Sequence, residues 1–228
     1  MEIIECLTSL QRSFEENKDE VRAVKSAQYM KNLFVYYGVD ATNRKSIQKK
    51  WFEELKANSS DIDRWELIRE MWEKEQREIH YVAIDWLNSF KINTIQQEDI
   101  VHLEWLLTNH SWWDSVDAIA SNYLGNYFKK FPKESKSIIE KWRNSENMWL
   151  NRSCLIFQLK YKNDVDFDLL KSLIRQYQPN KEFFIQKAIG WSLRQYSKFN
   201  PEAVRAFVQE INLQGLAKRE ATKYLNVG

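Results

Sequence analysis

Four stretches of the chain carry the same pattern of apolar and polar positions and align without gaps. They are EIHYVAIDW from Glu78, WDSVDAIAS from Trp113, MWLNRSCLI from Met148 and FFIQKAIGW from Phe183. Each has a small residue at its centre (Ala83, Ala118, Ser153 and Ala188), and consecutive centres lie 35 residues apart. A period near that length is one pair of helices, the unit of HEAT-like and TPR-like arrays. The TPR consensus does not occur, which favours a HEAT-like pair. A small residue at the shared position lets the neighbouring helix come close. Second helices are expected around Ile138, Ile139 and Trp142, and around Leu169, Leu170, Leu173 and Ile174, where apolar residues recur at spacings of three and four. Phe131-Pro132, Gln178-Pro179 and Asn200-Pro201 mark boundaries, because proline disfavours helix in the residue before it and suits a first helical turn. Residues 1–75 show the helical rhythm in weaker register. The expectation is an all-α fold, one domain over residues 1–228, with HEAT-like helix pairs stacked into a curved solenoid that has one concave face.

Composition supports helix and removes several alternatives. Five Gly and three Pro in 228 residues are too few for a turn-rich β architecture. Cys6 and Cys154 lie far apart and the three histidines are scattered, so neither a zinc site nor any other metal is expected. Glu2 and Glu5 stand where a secretory signal would be basic, and no apolar run approaches the roughly 20 residues that span a bilayer. A reduced, cytoplasmic protein without a membrane partner is expected. The net charge of +2 says little, but its distribution says more. Residues 1–100 hold 15 basic and 19 acidic side chains, and residues 101–228 hold 19 and 13. The basic half could face a polyanion, although ordinary solvated helix faces produce the same imbalance.

The repeat also predicts a site. The position before the small residue is Val82, Asp117, Arg152 and Lys187 in successive repeats. Equivalent positions line up on one face, and packed helices lie about 8–10 Å apart, so Asp117 and Arg152 should be neighbours with Lys187 one step on. Trp113, four residues before Asp117, shares its helix face. Trp191 stands three residues after Ala188, and Arg194 three further on. The result is an acid flanked by indoles and cations, although a salt bridge between repeats with aromatic packing would look the same. With ten Trp in the chain many must be core, and Trp65, Trp72, Trp86, Trp105 and Trp142 are expected there. Trp112 and Trp113 point about 100° apart around a helix, so one of them should face a groove.

SWWDSVD (Ser111–Asp117), WLNRSCLIFQLKYK (Trp149–Lys162), FFIQKAIGWSLRQYSKFNP (Phe183–Pro201), LAKREA (Leu216–Ala221) and AQYMKN (Ala27–Asn32) together resemble the AlkD-type DNA alkylation-repair glycosylases over essentially the whole chain. The resemblance implies a HEAT-like solenoid whose basic concave face cradles duplex DNA. It implies excision of cationic N3- and N7-alkylated purines by a monomer, without a metal or other cofactor, as the first step of base excision repair. By motif, Asp117 matches the catalytic aspartate, and Trp113 and Trp191 match the indoles that contact the lesion and its deoxyribose. Arg152 matches an arginine that holds the backbone beside the damaged nucleotide, and Tyr29 a third aromatic at the site. Lys160, Lys187, Arg194, Lys218 and Arg219 fall at positions expected to contact DNA. Residues 59–76 and Asp40–Thr42 depart most from the family pattern.

The residue types suit that chemistry. An alkylpurine cation has a weakened glycosidic bond and leaves as a neutral base, so no general acid is needed. A carboxylate can stabilise the oxocarbenium-like sugar and accept a proton from water. Indole faces attract cations by about 0.5–2 kcal/mol each. Two rival readings remain at this stage. Lys187 on the same face would allow a Schiff-base lyase, and a non-catalytic HEAT-like scaffold could bind damaged or branched DNA. A third, a protein-binding solenoid, would need an apolar groove, which the Asp–Arg–Lys row opposes.

Overall fold

A computed structural model of the chain describes residues 3–58 and 62–225; residues 59–61, part of the stretch that departs from the family pattern, lie outside the described residues. The fold is all-α, and among the described residues the extended backbone pairs only in one isolated bridge, Val35 with Gln76. Contacts divide the chain into two compact units, Met1–Phe90 and Lys91–Gly228.

The first unit holds α1 (Ile3–Glu15), α2 (Glu20–Tyr29), α3 (Ala41–Asn58), α4 (Arg64–Trp72) and α5 (Arg77–Ser89). Cys6, Leu7, Leu10 and Phe14 form the buried stripe of α1, which packs on α3 and α4. The Trp51 indole donates to the Cys6 carbonyl at 2.8 Å and ties α3 to it. By contrast α2 buries none of its residues, and Val21, Val24 and Tyr29 are exposed. Its start is set by Asp19, whose side chain accepts the Arg22 N–H, an N-cap that satisfies an otherwise orphaned donor. The segment after α2 is clamped by Glu78 of α5. Its buried carboxylate accepts the N–H groups of Tyr37, Gly38 and Val39 at 3.1, 2.8 and 3.3 Å. Gly38 is obligatory there: its φ is +83°, and a Cβ would sit 2.0 Å from the Asp19 carbonyl oxygen.

With the first aligned segment on α5, the second unit carries the other three. It comprises α6 (Asp99–Thr108), α7 (Trp113–Ile119), a π-helical turn (Ala120–Leu124), α8 (Gly125–Lys130), α9 (Pro132–Arg143), α10 (Met148–Ile156), α11 (Phe167–Tyr177), α12 (Phe183–Tyr196), α13 (Pro201–Glu210) and α14 (Gly215–Ala221). The four aligned segments fall on α5, α7, α10 and α12, and the expected second helices are α9 and α11. Each proline falls at the expected boundary: Pro132 and Pro201 open α9 and α13, and Pro179 lies in the turn after α11. Asn147, Asp166 and Asn200 cap α10, α11 and α13 with side-chain oxygens.

The outer helices bury one stripe each, such as Leu170, Leu173, Ile174 and Tyr177 of α11. Every residue of α10 from Leu150 to Ile156 is buried, because α10 meets α7, α9, α11 and α12. Hydrogen bonds between repeats keep the period: Tyr161 to the Gly125 carbonyl, Tyr177 to that of Arg143 and Gln178 to that of Ile211 join residues 36, 34 and 33 apart.

Some expectations change. Ala83, Ser153 and Ala188 are fully buried, but Ala118 is only half-buried. Trp65, Trp72 and Trp142 are core, whereas Trp86 and Trp105 are half-buried. The interior beside Trp105 is taken by Leu103, Leu106 and Leu107. Trp86 lies at a rim, between the Phe52 and Phe90 rings with the Lys56 ammonium 6.0 Å from its centre.

Candidate active site

The second unit brings Asp117 of α7 and Arg152 of α10 into direct contact. Arg152 Nε donates to one carboxylate oxygen and Nη2 to the other, both at 2.8 Å. This two-pronged geometry is the strongest form of a carboxylate–guanidinium pair. The pair is largely withdrawn from solvent, with 15% of the Asp117 side chain and 4% of the Arg152 side chain accessible. Arg152 Nη1 also donates to the Phe184 carbonyl at the start of α12, and the Phe184 ring centre lies 5.9 Å from the guanidinium carbon. One arginine thus ties α7, α10 and α12 together. Burial pushes the Asp117 carboxyl above the usual carboxylate range, the Arg152 guanidinium pulls it back, and Asp114 adds a smaller upward push. Arginine has no neutral form to offer, so its two N–H groups are best met by Asp117 as a carboxylate.

The backbone after Asp117 is irregular. The π-helical turn begins at Ala120, and the Ser121 hydroxyl donates to the Asp117 carbonyl at 2.7 Å. Single π turns inside α-helices occur frequently at functional sites. Ahead of α7 the two tryptophans separate as their spacing requires. Trp112 packs edge-on against Trp149 and Phe184, with ring centres 5.6 and 5.0 Å away, and Trp149 and Phe184 are themselves 5.1 Å apart. Residues from the starts of three successive inner helices therefore form one aromatic cluster beside Arg152. Trp113 is half-buried one turn before Asp117, and Trp191 is half-buried in the middle of α12.

The remaining residues fall into three groups. Lys187 and Arg194, both of α12, meet the Glu220 carboxylate of α14: Lys187 at 2.6 Å to one oxygen, and Arg194 in contact with the other. Lys160 is exposed in the turn after α10 and donates to the Asn122 side chain, and Lys218 and Arg219 are exposed on α14. Tyr29 ends α2 in the first unit and is 72% exposed. Arg152 is buried and spends three N–H groups on Asp117 and Phe184.

Sequence reasoning missed Glu220, the Phe184 carbonyl and the aromatic cluster. Counting 35 residues on from Lys187 reaches Thr222, so Glu220 falls off the lattice, and LAKREA drew attention only to its basic residues. Among the described residues no three His, Cys, Asp or Glu side chains group so as to hold a metal ion, and no helix is long and apolar enough to cross a membrane.

A family model for DNA alkylation repair enzymes matches residues 10–225, nearly the full length. The chain belongs to that family. A protein from Enterococcus faecalis described as a predicted DNA alkylation repair enzyme has a similar solved structure, with 36% identity, TM-score 0.83, and coverage of 93% of this chain and 98% of its own. AlkD2 from Streptococcus mutans shares the fold at 16% identity and TM-score 0.60, covering 80% of this chain and 90% of its own. The smu.31 protein from Streptococcus mutans UA159, also 16% identical, does so at TM-score 0.57, over 80% and 98%. None of the curated proteins matches the chain. As a DNA alkylation repair family member, the chain has alkylated DNA as its class of substrate, and the Asp117–Arg152 pair lies inside the matched region.

Proposed function

We propose that the chain is a monofunctional DNA glycosylase that hydrolyses the N-glycosidic bond of cationic N3- and N7-alkylated purines in duplex DNA. It would act as a monomer in the cytoplasm and leave an abasic site. The observation that carries this reading is the Asp117 carboxylate, held by a two-pronged arginine one helical turn from Trp113.

Asp117 supplies a negative charge where the sugar becomes cationic, and it retains lone pairs that can accept a proton from the attacking water. Trp113 and Trp191 present indoles to the charged base and sugar. Because positive charge grows on the sugar as the bond breaks, their attraction is larger in the transition state than before it. Arg152 fixes both carboxylate oxygens, so the charge is in place before the reaction begins. Lys160, Lys218 and Arg219, exposed in the second unit, would meet phosphates, and Tyr29 would contribute a further aromatic contact. A lysine-based mechanism is disfavoured by the Lys187–Glu220 contact, which a Schiff base would have to break.

The test is release of 7-methylguanine and 3-methyladenine from methylated duplex DNA by wild type and by Asp117→Asn, with melting temperatures recorded to show that both are folded. Loss of an electrostatic catalytic group costs about 2–4 kcal/mol of barrier, or roughly 30- to 1000-fold in rate. Undiminished excision by the folded variant sinks the role of Asp117. Absence of release by wild type, with duplex binding intact, would instead establish the non-catalytic scaffold.

A further inference from the structure

Trp191 does not stand alone on its helix. Lys187, Gly190, Trp191 and Arg194 follow spacings of three and four residues and therefore share one face of α12. Helix α14 crosses this face at Gly190. A Cβ on Gly190 would lie 2.4 Å from the Glu220 Cβ and 2.9 Å from the Ala217 carbonyl oxygen, so only glycine allows the approach. That crossing places Glu220 between the two cations, with Lys187 on one carboxylate oxygen and Arg194 on the other. The hydrogen bond from Lys187 comes first among the causes that hold the Glu220 carboxyl below its usual range. About a fifth of both the Glu220 and the Arg194 side chains is accessible, and 38% of Lys187. Two cations that flank the proposed lesion-contacting indole are thus directed, and half neutralised, by one acid.

We propose that Glu220 is a positioning and specificity-determining residue. It restrains Lys187 and Arg194 on either side of Trp191, so that this face presents one net positive charge to DNA in place of two. The proposal rests on the reading of the chain as a protein that engages duplex DNA. Its physical consequence is weaker attraction for undamaged backbone at the place where the alkylated nucleotide is read. Sequence-independent affinity comes mostly from cations that displace counterions, so an acid within the row lowers that part of binding and leaves contacts to the lesion untouched.

The experiment measures binding of a short unmodified duplex as a function of salt, for wild type, Glu220→Gln and Glu220→Asp. Releasing one further cation to the phosphates steepens the slope of log affinity against log salt by about 0.9. Glu220→Gln should show that increase and bind undamaged duplex more tightly at low salt, while Glu220→Asp keeps the wild-type slope. In excision assays, undamaged competitor DNA should inhibit Glu220→Gln more strongly than wild type. Glutamine is isosteric with glutamate, which preserves the α12–α14 packing. If the melting temperature nonetheless collapses, Glu220→Ala, a good helix former, carries the same expectation. An unchanged slope in a folded charge-neutral variant overturns the proposal and leaves Glu220 as a helix-to-helix contact. Wild type that shows no salt-dependent duplex binding overturns the DNA reading itself.

Discussion

Replacing Arg152 by methionine should unpair a buried carboxylate, and the structure sets the size of the effect. Two charge-assisted hydrogen bonds at 2.8 Å are lost together with the bond to the Phe184 carbonyl. Each bond to a charged group contributes about 1.5–3 kcal/mol, and breaking a buried pair from one side typically costs about 3–5 kcal/mol. The lower end applies to this pair, since 15% of the Asp117 side chain still reaches water. For a chain of 228 residues, 3 kcal/mol corresponds to a fall of roughly 6–12 °C in melting temperature. The deficit should depend on pH. Burial already raises the Asp117 carboxyl and Arg152 opposes it, so the variant carboxyl rises further. A carboxyl whose folded pKa exceeds its unfolded one favours the folded state at low pH and loses that advantage as pH rises through the folded value. Thermal unfolding of Arg152→Met from acid to neutral pH should therefore show the smallest loss in acid. Changing Asp117 to leucine in the same chain removes the orphaned charge and should restore much of the stability. A single variant that loses less than about 1 kcal/mol at neutral pH, or a double variant no more stable than the single, would refute the reasoning.

Three further outcomes are expected. Gly38→Ala should lose several kcal/mol in urea unfolding, because a left-handed φ and a 2.0 Å clash with backbone leave no room for the methyl; a loss within error would mean the turn can reopen cheaply. Glu78→Gln exchanges one acceptor oxygen for a donor facing the Tyr37–Val39 N–H groups and should cost about 1–3 kcal/mol at neutral pH. Burial raises the Glu78 carboxyl, so its contribution to stability is largest at low pH and declines as pH rises through its folded value; a variant whose stability profile keeps that decline would exclude Glu78 as its source. Cys6 and Cys154 are both buried and burial pushes the Cys154 thiol up to about 12, so a thiol-reactive dye should label them only as fast as the fold opens. Complete labelling of folded protein within seconds would contradict that burial.

Periodicity made much of this protein legible in advance. The spacing of 35 residues located α5, α7, α10 and α12, and the prolines located boundaries of α9, α11 and α13. It also placed Asp117 against Arg152, because a repeat converts a sequence interval into a fixed spatial step. That step holds only where packing copies itself from one repeat to the next. At Gly190 it does not: the close approach of α14 shifts the next partner to Glu220, two residues short of the lattice position, and pairs it with cations that look available in the sequence. Burial is likewise a property of neighbours. Trp72 and Trp105 cannot be ranked by residue type: Trp72 is fully buried, stacked on His80, while Leu103, Leu106 and Leu107 take the interior beside Trp105. The same holds for Arg152: spacing puts it beside Asp117, and only the folded chain shows both carboxylate oxygens and the Phe184 carbonyl taking its N–H groups. Helices, their order and the row they form follow from local spacing. Which charges meet one another and which are left for a ligand is decided by how closely the helices pack.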